Sequence, residues 1–171
     1  RQALAPVLDI ARDARWGRVE ETYGEDPILA GTLGAAFVRG LQAADHDASD
    51  DHGPAHDHDP ADGGRAHLRH GVLATAKHFL GYGAPDGGRN HAPVHMGSRE
   101  LRDVYAEPFA AAIRDGGLAS VMNSYSSIDG LAPAASRALL TDLLRDELGF
   151  DGTVVADYFA VDLLVTHHRV A

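Results

Sequence analysis

Apolar residues along this chain follow two alternating patterns, which predict strands and helices in turn. Short continuous apolar runs, typical of buried parallel strands, occur at 3–10, 72–79, 118–125 and 152–157. After each run, apolar residues recur with a period near 3.6, which predicts helices at 26–42, 98–117, 136–148 and 160–168. This strict alternation of strand and helix favours a parallel sheet with helical crossovers.

Local signals mark the ends of the predicted helices. Asp26 is a good N-cap, and Pro27 suits the first helical position that follows it. The apolar face predicted for this helix consists of Leu29, Leu33, Ala36, Phe37 and Leu41. Ser98 is predicted to cap the second helix and Ser136 to open the third, which Gly149 stops.

The predicted fold class is α/β, and we favour a partial (β/α)8 TIM-type barrel over a doubly wound sheet. No G-x-G-x-x-G pattern follows a predicted strand, so a dinucleotide site is not indicated. The chain has 171 residues, whereas a complete barrel needs about 250. We therefore expect residues 1–171 to be a fragment of a single barrel domain, poorly stable alone because its strand edges are unpaired.

The net charge of −10 is concentrated in one segment. Residues 43–62 contain seven aspartates and no Lys or Arg, and the low-complexity loop predicted at 43–66 lacks large apolar residues. Its histidines alternate with aspartates, but their spacing matches no defined metal site, so we predict no metal; they are His46, His52, His56 and His58.

Composition excludes several classes of function. The chain has no cysteine, which rules out disulfides and thiolate chemistry, and its acidity argues against nucleic-acid binding. No apolar run approaches the roughly 20 residues of a membrane span, and no signal peptide is visible. We expect no cofactor and no membrane partner, and the compartment, cytoplasmic or secreted, is left open.

Polar side chains follow each predicted strand. They are Asp9 with the loop that carries Arg18, then Lys77 and His78, then Asn123 and Tyr125, and finally Asp157. Because parallel strands point their carboxyl ends to the same side, these groups are expected to converge at one mouth.

The chemistry of these groups suits a sugar. A carboxylate such as Asp157, surrounded by cations, can act as a nucleophile or stabilise an oxocarbenium-like transition state. Several predicted site residues offer hydrogen-bond donors and no carboxylate acceptor, which suits a neutral, hydroxyl-rich ligand. They are Arg18, Lys77, His78 and Arg89. Aromatic faces for stacking a sugar ring come from Trp16, Tyr82, Tyr125, Tyr158 and Phe159.

Each residue also has a structural alternative. Asp157 could cap the next helix, His78 could be an interior histidine, and Arg18 could neutralise nearby acids such as Glu21. Lys77 could pair with a core carboxylate, or form a Schiff base as in barrel aldolases.

Several ordered motifs resemble those of glycoside hydrolase family 3, closest to its β-glucosidase and β-xylosidase members. They are the stretch 6–27, Ala76-Lys-His-Phe79, Gly81-Tyr-Gly-Ala84, Gly87-Gly-Arg-Asn90, Val121-Met-Asn-Ser-Tyr125 and Val154-Val-Ala-Asp-Tyr158. The resemblance covers nearly the whole chain except 43–66. It implies the N-terminal barrel domain of that family, with Asp157 at the position of the catalytic nucleophile.

The resemblance also implies roles for the other candidates. Residues that would grip sugar hydroxyls are Arg18, Lys77, His78 and Arg89, and Tyr125 falls on a tyrosine near the nucleophile. Leu80 and Tyr82 differ from the residues that the N-acetylhexosaminidase branch of the family has at these positions, which argues against that branch. The general acid/base is expected from the rest of the parent chain, since Glu20, Glu21 and Asp86 are candidates by position alone.

The resulting expectation is a retaining exo-β-glycosidase that acts on small-molecule or oligosaccharide β-glycosides. Release of terminal β-D-glucose ranks first and of xylose second. The alternative of another class is a non-catalytic sugar-binding fragment that lacks the general acid.

Overall fold

The computed structural model describes residues 1–43 and 71–170, and within them four strands form one parallel sheet. The strands are β1 (Gln2–Ala3), β2 (Leu73–Phe79), β3 (Ser120–Asn123) and β4 (Thr153–Val155). They lie side by side in chain order, and each neighbouring pair is parallel. This order confirms the predicted parallel sheet and continues in one direction, as in the wall of a barrel.

The strands are shorter than the apolar runs that predicted them. β1 covers only Gln2–Ala3, although the chain continues beside β2 as far as residue 8. Lys77 donates its backbone N–H to the Pro6 carbonyl, and Leu8 donates to the Lys77 carbonyl. Pro6 has no N–H to give, so the ladder cannot be continuous through it.

Helices follow the strands as the periodicity predicts. They are α1 (Pro27–Gln42), α2 (Ser98–Glu100, Leu101–Ala106 and Glu107–Arg114 in succession), α3 (Ala138–Glu147) and α4 (Ala160–Thr166). The middle segment of α2 has π-type hydrogen bonding and comes just before Pro108. A proline cannot donate to the preceding turn, which explains a widened turn there.

Capping agrees with the sequence at α1 and α3 but not at α2. The Asp26 carboxylate accepts hydrogen bonds from the backbone N–H groups of Ile28 and Leu29 at 2.8 and 2.9 Å. The Ser136 hydroxyl accepts from Leu139 N at 3.2 Å. At α2 the prediction was wrong by one residue, since Gly97 takes the N-cap position and no side chain caps the helix.

The buried face of α1 differs from the predicted one. Leu29, Leu33 and Phe37 are 51%, 42% and 41% exposed, whereas the buried positions are Ala30, Gly31, Gly34, Ala35, Val38 and Gln42. The side chains on this buried face are small because neighbouring segments of the chain approach α1 closely. A Cβ added to Gly34 would lie 2.4 Å from Leu8 Cδ2, and one added to Gly31 would lie 2.9 Å from Ala111 Cβ. Both faces repeat with helical periodicity, and the need for close packing selects the small one.

The core lies between the sheet and the helices that cover it. Phe79 of β2 meets Phe109 of α2 edge to face, with ring centroids 5.1 Å apart. Both rings are fully buried, as are the leucines of α3 that face them across the core, Leu143 and Leu144. This packing fixes β2 against α2 and thereby fixes the end of the strand that carries His78.

Two further expectations concern the loop predicted at 43–66 and the absence of a membrane span. The loop predicted at 43–66, with its four histidines, lies outside the described residues except for residue 43. None of the helices in the described ranges has both the length and the apolar composition needed to cross a membrane.

Replacing Gly31 by Ala tests the close approach of α1 and α2. The methyl group would meet Ala111 Cβ and the backbone of Pro108, neither of which can rotate away. We expect destabilisation of about 1–3 kcal/mol. Gly40→Ala is the matched control, because nothing lies within 4 Å of its added Cβ, and it should gain up to about 1 kcal/mol.

Differential scanning calorimetry of the two variants in the full-length protein measures this difference. A melting temperature raised equally by both substitutions would show that the helices are not in close contact at Gly31.

Candidate active site

Three buried side chains, Asp9, His78 and Asp157, form a row at the carboxyl ends of the strands. Their residues are 2%, 1% and 7% exposed. His78 Nδ1 lies 2.8 Å from Asp9 Oδ2, and the backbone N–H of His78 donates to the same oxygen at 3.0 Å. On the other side, His78 Nε2 lies 3.6 Å from Asp157 Oδ2. The topology therefore brings together groups from three separate parts of the chain.

The orientation of His78 is defined by Asp9. Because a carboxylate only accepts, the short contact places a proton on Nδ1, and Nε2 then faces Asp157. The 3.6 Å distance from Nε2 to Asp157 is too long for a good hydrogen bond but close enough for charge interaction. Tyr82 packs edge-on against the imidazole, with ring centroids 4.9 Å apart.

Asp157 lies in a tight turn between β4 and α4. Its Oδ1 accepts a hydrogen bond from the backbone N–H of Tyr158 at 2.7 Å. The residue at the N-cap of α4 is Phe159, whose φ of +62° is strained for a residue with a side chain. No side chain caps this helix, so the alternative reading of Asp157 as its cap is wrong.

Tyr125 holds the same turn from the neighbouring strand. Its hydroxyl donates to the carbonyl of Tyr158. Burial and, next, the Asp157 carboxylate raise the pKa of Tyr125. Its ring also faces His91 at 4.5 Å between centroids, and burial lowers the pKa of His91. Tyr125 thus lies beside Asp157, as the sequence predicted.

Arg18 has a carboxylate partner, as the structural alternative for this residue predicted. Its Nε and Nη2 donate to the two oxygens of Glu21 at 2.6 and 2.7 Å. This bidentate pair raises the pKa of Arg18 and lowers that of Glu21. The alternative that Arg18 neutralises a nearby acid is therefore confirmed, with Glu21 as that acid. Nη1 of Arg18 takes no part in this pair.

Tyr82 is the packing centre of the site. It is fully buried, and burial raises its pKa to about 12. Its ring meets Trp16 edge to face at 5.3 Å, and the Arg18 guanidinium lies 5.5 Å from its centroid. Trp16 and Tyr82 are 1% and 0% exposed, so the expectation that they stack on a sugar ring is wrong. Of the other predicted aromatic faces, Tyr158 and Phe159 are 70% and 74% exposed.

Lys77 and Arg89 differ in burial. Lys77 is half-buried, and its charge helps to lower the pKa of Glu21, which places it on the Arg18 side of the site. Its side chain makes no ion pair within the described residues, so the predicted alternative of pairing with a core carboxylate is not supported there. Arg89 is exposed after the turn Asp86–Gly88, and among the described residues no hydrogen bond or ion pair joins its side chain to Asp9, His78 or Asp157.

Sequence reasoning named Asp9 among the converging strand-end groups and Glu21 as a possible partner of Arg18, but it included neither among the predicted catalytic or substrate-binding residues. Asp9 follows an apolar run, the same signal that identified Asp157, but only the structure shows its contact with His78. Glu21 lies three residues after Arg18, a spacing that allows pairing within one turn. In the described ranges no three His, Asp or Glu side chains are arranged so that they could hold a metal ion.

The curated proteins that the chain resembles are named as β-xylosidases and β-glucosidases. A β-xylosidase of Formosa agariphila is 42% identical over 98% of the chain, which covers 21% of that relative. A periplasmic β-glucosidase of Salmonella typhimurium is 35% identical over 98% of the chain and 19% of its own length. The chain thus spans about a fifth of the length of the curated relatives it matches.

Solved structures give the same result for the fold. A β-glucosidase of Erythrobacter marinus superposes with a TM-score of 0.83 at 39% identity, over 100% of this chain and 20% of that one. The likeness confirms the α/β fold as part of a barrel of parallel strands, which the described residues leave open. The family profile described as glycosyl hydrolase family 3 N terminal domain matches residues 1–171. The chain therefore belongs to glycosyl hydrolase family 3.

Proposed function

We propose that this chain forms part of a retaining exo-β-glycosidase that releases terminal β-D-glucose, with Asp157 as the nucleophile. The observation that carries the proposal is the buried Asp157 carboxylate at the strand ends, 3.6 Å from His78 Nε2. A fixed carboxylate beside hydrogen-bond donors, at the face where barrel enzymes bind their substrates, suits attack on an anomeric carbon.

The reaction proceeds by double displacement. Asp157 forms a bond to the anomeric carbon as the glycosidic bond breaks, and a general acid gives its proton to the leaving oxygen. The same group then removes a proton from water, which attacks the anomeric carbon and frees Asp157. The turn contributes position, because the Tyr158 N–H holds one oxygen of Asp157 and Tyr125 holds the Tyr158 carbonyl.

The second carboxyl group of this mechanism must lie about 5–5.5 Å from the nucleophile. Asp9 is bound to His78 and Glu21 is bound to Arg18, so neither carboxylate is available as a proton donor. Glu20 and Asp86 are exposed. The partners of Asp9 and Glu21 and the exposure of Glu20 and Asp86 support the proposal that the rest of the parent chain supplies the general acid/base. In this proposal residues 1–171 form a fragment of one barrel domain of a longer protein.

Sugar binding is proposed for the cations around the nucleophile. His78 and Lys77 lie at the end of β2, and Arg18 keeps Nη1 outside its pair with Glu21. Arg89 is proposed to join them from the exposed loop after β2. The β-glucosidase of Listeria innocua, which superposes with TM-scores of 0.81, has been solved in complex with laminaribiose and with glucose. Those complexes support a neutral sugar as the ligand here.

A β-xylosidase activity is the second candidate. It is favoured by the 42% identity to the Formosa agariphila β-xylosidase. Glucose ranks first because the solved structures that match the whole chain are described as β-glucosidases. A sugar-binding protein without catalysis is the alternative that the following experiment separates.

Trapping with activated 2-deoxy-2-fluoro β-glucoside and β-xyloside tests the nucleophile in the full-length protein. The fluorine slows release of the glycosyl-enzyme, so the labelled peptide identified by mass spectrometry should carry the sugar on Asp157. Asp157→Asn should abolish labelling and lower kcat by about 10⁴-fold or more, as loss of a nucleophile does elsewhere. Asp162→Asn, an exposed acid in α4, is the matched control and should label normally.

The sugar that labels faster identifies the preferred glycone. Absence of label from a folded protein with both sugars would overturn the nucleophile assignment and leave sugar binding without catalysis. Label on another carboxylate would keep the retaining mechanism and reject Asp157.

Replacing Glu21 by Gln tests whether the Arg18 pair orders the sugar site. Without the bidentate carboxylate, Arg18 loses its fixed position, and we expect KM to rise about 10-fold with kcat changed less. Steady-state kinetics with an aryl β-glucoside measure this split. Glu20→Gln is the control, since Glu20 makes no ion pair with the described part of the chain. Equal KM values for both variants would contradict a binding role for Arg18.

The same variant has a signature in the dependence of stability on pH. The Arg18 hydrogen bonds lower the pKa of Glu21, so Glu21 stabilises the fold above its ordinary pKa of 4.5. That contribution disappears as the pH falls through the lowered value. The wild type should therefore melt above Glu21→Gln at pH 7, and the difference should shrink towards pH 3. The effect is modest because the Glu21 side chain is 37% exposed.

A further inference from the structure

We propose that Asp9 is the positioning residue that fixes His78, so that Nε2 of the imidazole faces Asp157 and the substrate. The inference rests on the proposed glycosidase function and adds a residue to its machinery. Asp9 would act only through His78, without touching the sugar. The proposal stands on the hydrogen bonds, the burial and the unpaired oxygen of Asp9.

A single carboxylate oxygen holds His78 at two points. Oδ2 of Asp9 accepts from the His78 backbone N–H at 3.0 Å and from ring Nδ1 at 2.8 Å. Two donors of the same residue on the same oxygen fix the imidazole relative to its own backbone. The ring can then neither rotate freely nor exchange the positions of Nδ1 and Nε2 without breaking a buried hydrogen bond.

The cost of burying Asp9 argues for a role beyond packing. Its Oδ1 is buried and has no hydrogen-bond partner among the described residues. Such an oxygen costs stability, and an apolar residue of similar size would avoid that cost. What the carboxylate supplies, and an apolar side chain cannot, is an acceptor for Nδ1–H.

The surroundings of His78 leave Nε2 as its functional end. Asp9 occupies Nδ1, Tyr82 covers the ring edge-on at 4.9 Å, and Asp157 lies 3.6 Å from Nε2. Loss of Asp9 would allow the proton to move from Nδ1 to Nε2, and the row would then present a different donor pattern to Asp157 and the sugar.

A double-mutant cycle in the full-length protein tests this coupling. The variants are Asp9→Ala, His78→Gln and the combination of both, and the readouts are kcat/KM for an aryl β-glucoside and the rate of labelling by the 2-fluoro sugar. Asp9→Ala should lower kcat/KM by about 10- to 100-fold, the usual effect of removing a partner that orients a histidine. In the His78→Gln background, the same change should alter kcat/KM less than about 3-fold.

Asp9→Asn provides the rescue, because its amide oxygen can accept both hydrogen bonds in place of Oδ2. It should recover most of the activity that Asp9→Ala loses. Asp13→Asn is the matched control, since Asp13 is in the same loop and its side chain pairs only with Arg15 in the described residues. Melting temperatures of all variants identify any that fail to fold.

Three outcomes would overturn the proposal. An equal loss from Asp9→Ala in both backgrounds would mean that Asp9 acts on the structure and not through His78. Normal labelling of Asp157 in Asp9→Ala would remove the role of Asp9 while leaving the proposed function intact. Absence of label in the wild type would overturn the proposed function first, and the role of Asp9 would fall with it.

Discussion

The parallel pairing of β2 with its neighbours on both sides is the constraint on which the site depends. The chain before Asp9 runs along one edge of β2, and β3 pairs with the other edge and with β4. All these segments run the same way, so their carboxyl ends meet on one side of the sheet. Asp9, His78 and Asp157 are therefore neighbours although they are separated by most of the chain. If any one of these segments paired antiparallel, its carboxyl end and the polar side chain there would lie at the opposite end of the strands.

Tyr82 converts this convergence into fixed geometry. A buried aromatic ring in contact with Trp16, His78 and the Arg18 guanidinium ties the loop that carries Trp16 and Arg18 to the end of β2. Trp16 in turn donates from its indole N–H to the Asn90 side chain at 3.2 Å, which fastens the glycine-rich loop to the Arg18 loop. The loops around the mouth are thus supported from beneath by one packed cluster.

The sequence predicted the order of the elements, and it failed where the distance between packed segments decides which residues are buried. Alternating apolar patterns were sufficient for the parallel sheet, and the Asp26-Pro27 signal for the start of α1, because both follow from local chemistry. The buried face of α1 was assigned wrongly because periodicity gives two candidate faces, and only the close approach of Leu8 and Ala111 selects between them. Likewise, an aromatic residue beside a site can stack on a ligand or be buried beneath it, and Trp16 and Tyr82 are buried. The grouping of Arg89 with the other cations stays a prediction, because the position of its side chain relative to a bound sugar is not fixed by local sequence signals.

The three carboxylates near the mouth, those of Glu21, Asp9 and Asp157, differ in their hydrogen-bond partners. Glu21 is bound on both oxygens by Arg18, and Asp9 binds two donors of His78. Each is therefore occupied in holding a cation or an imidazole in place. Asp157 differs, since a backbone N–H holds Oδ1 while Oδ2 faces His78 across 3.6 Å without a short hydrogen bond. A hydrogen bond to a nucleophilic oxygen weakens its attack, because the bond must be broken or lengthened as the oxygen reacts. For the proposed role of Asp157 as nucleophile, a carboxylate held through Oδ1, with Oδ2 free of a short hydrogen bond to His78, keeps both its position and its reactivity.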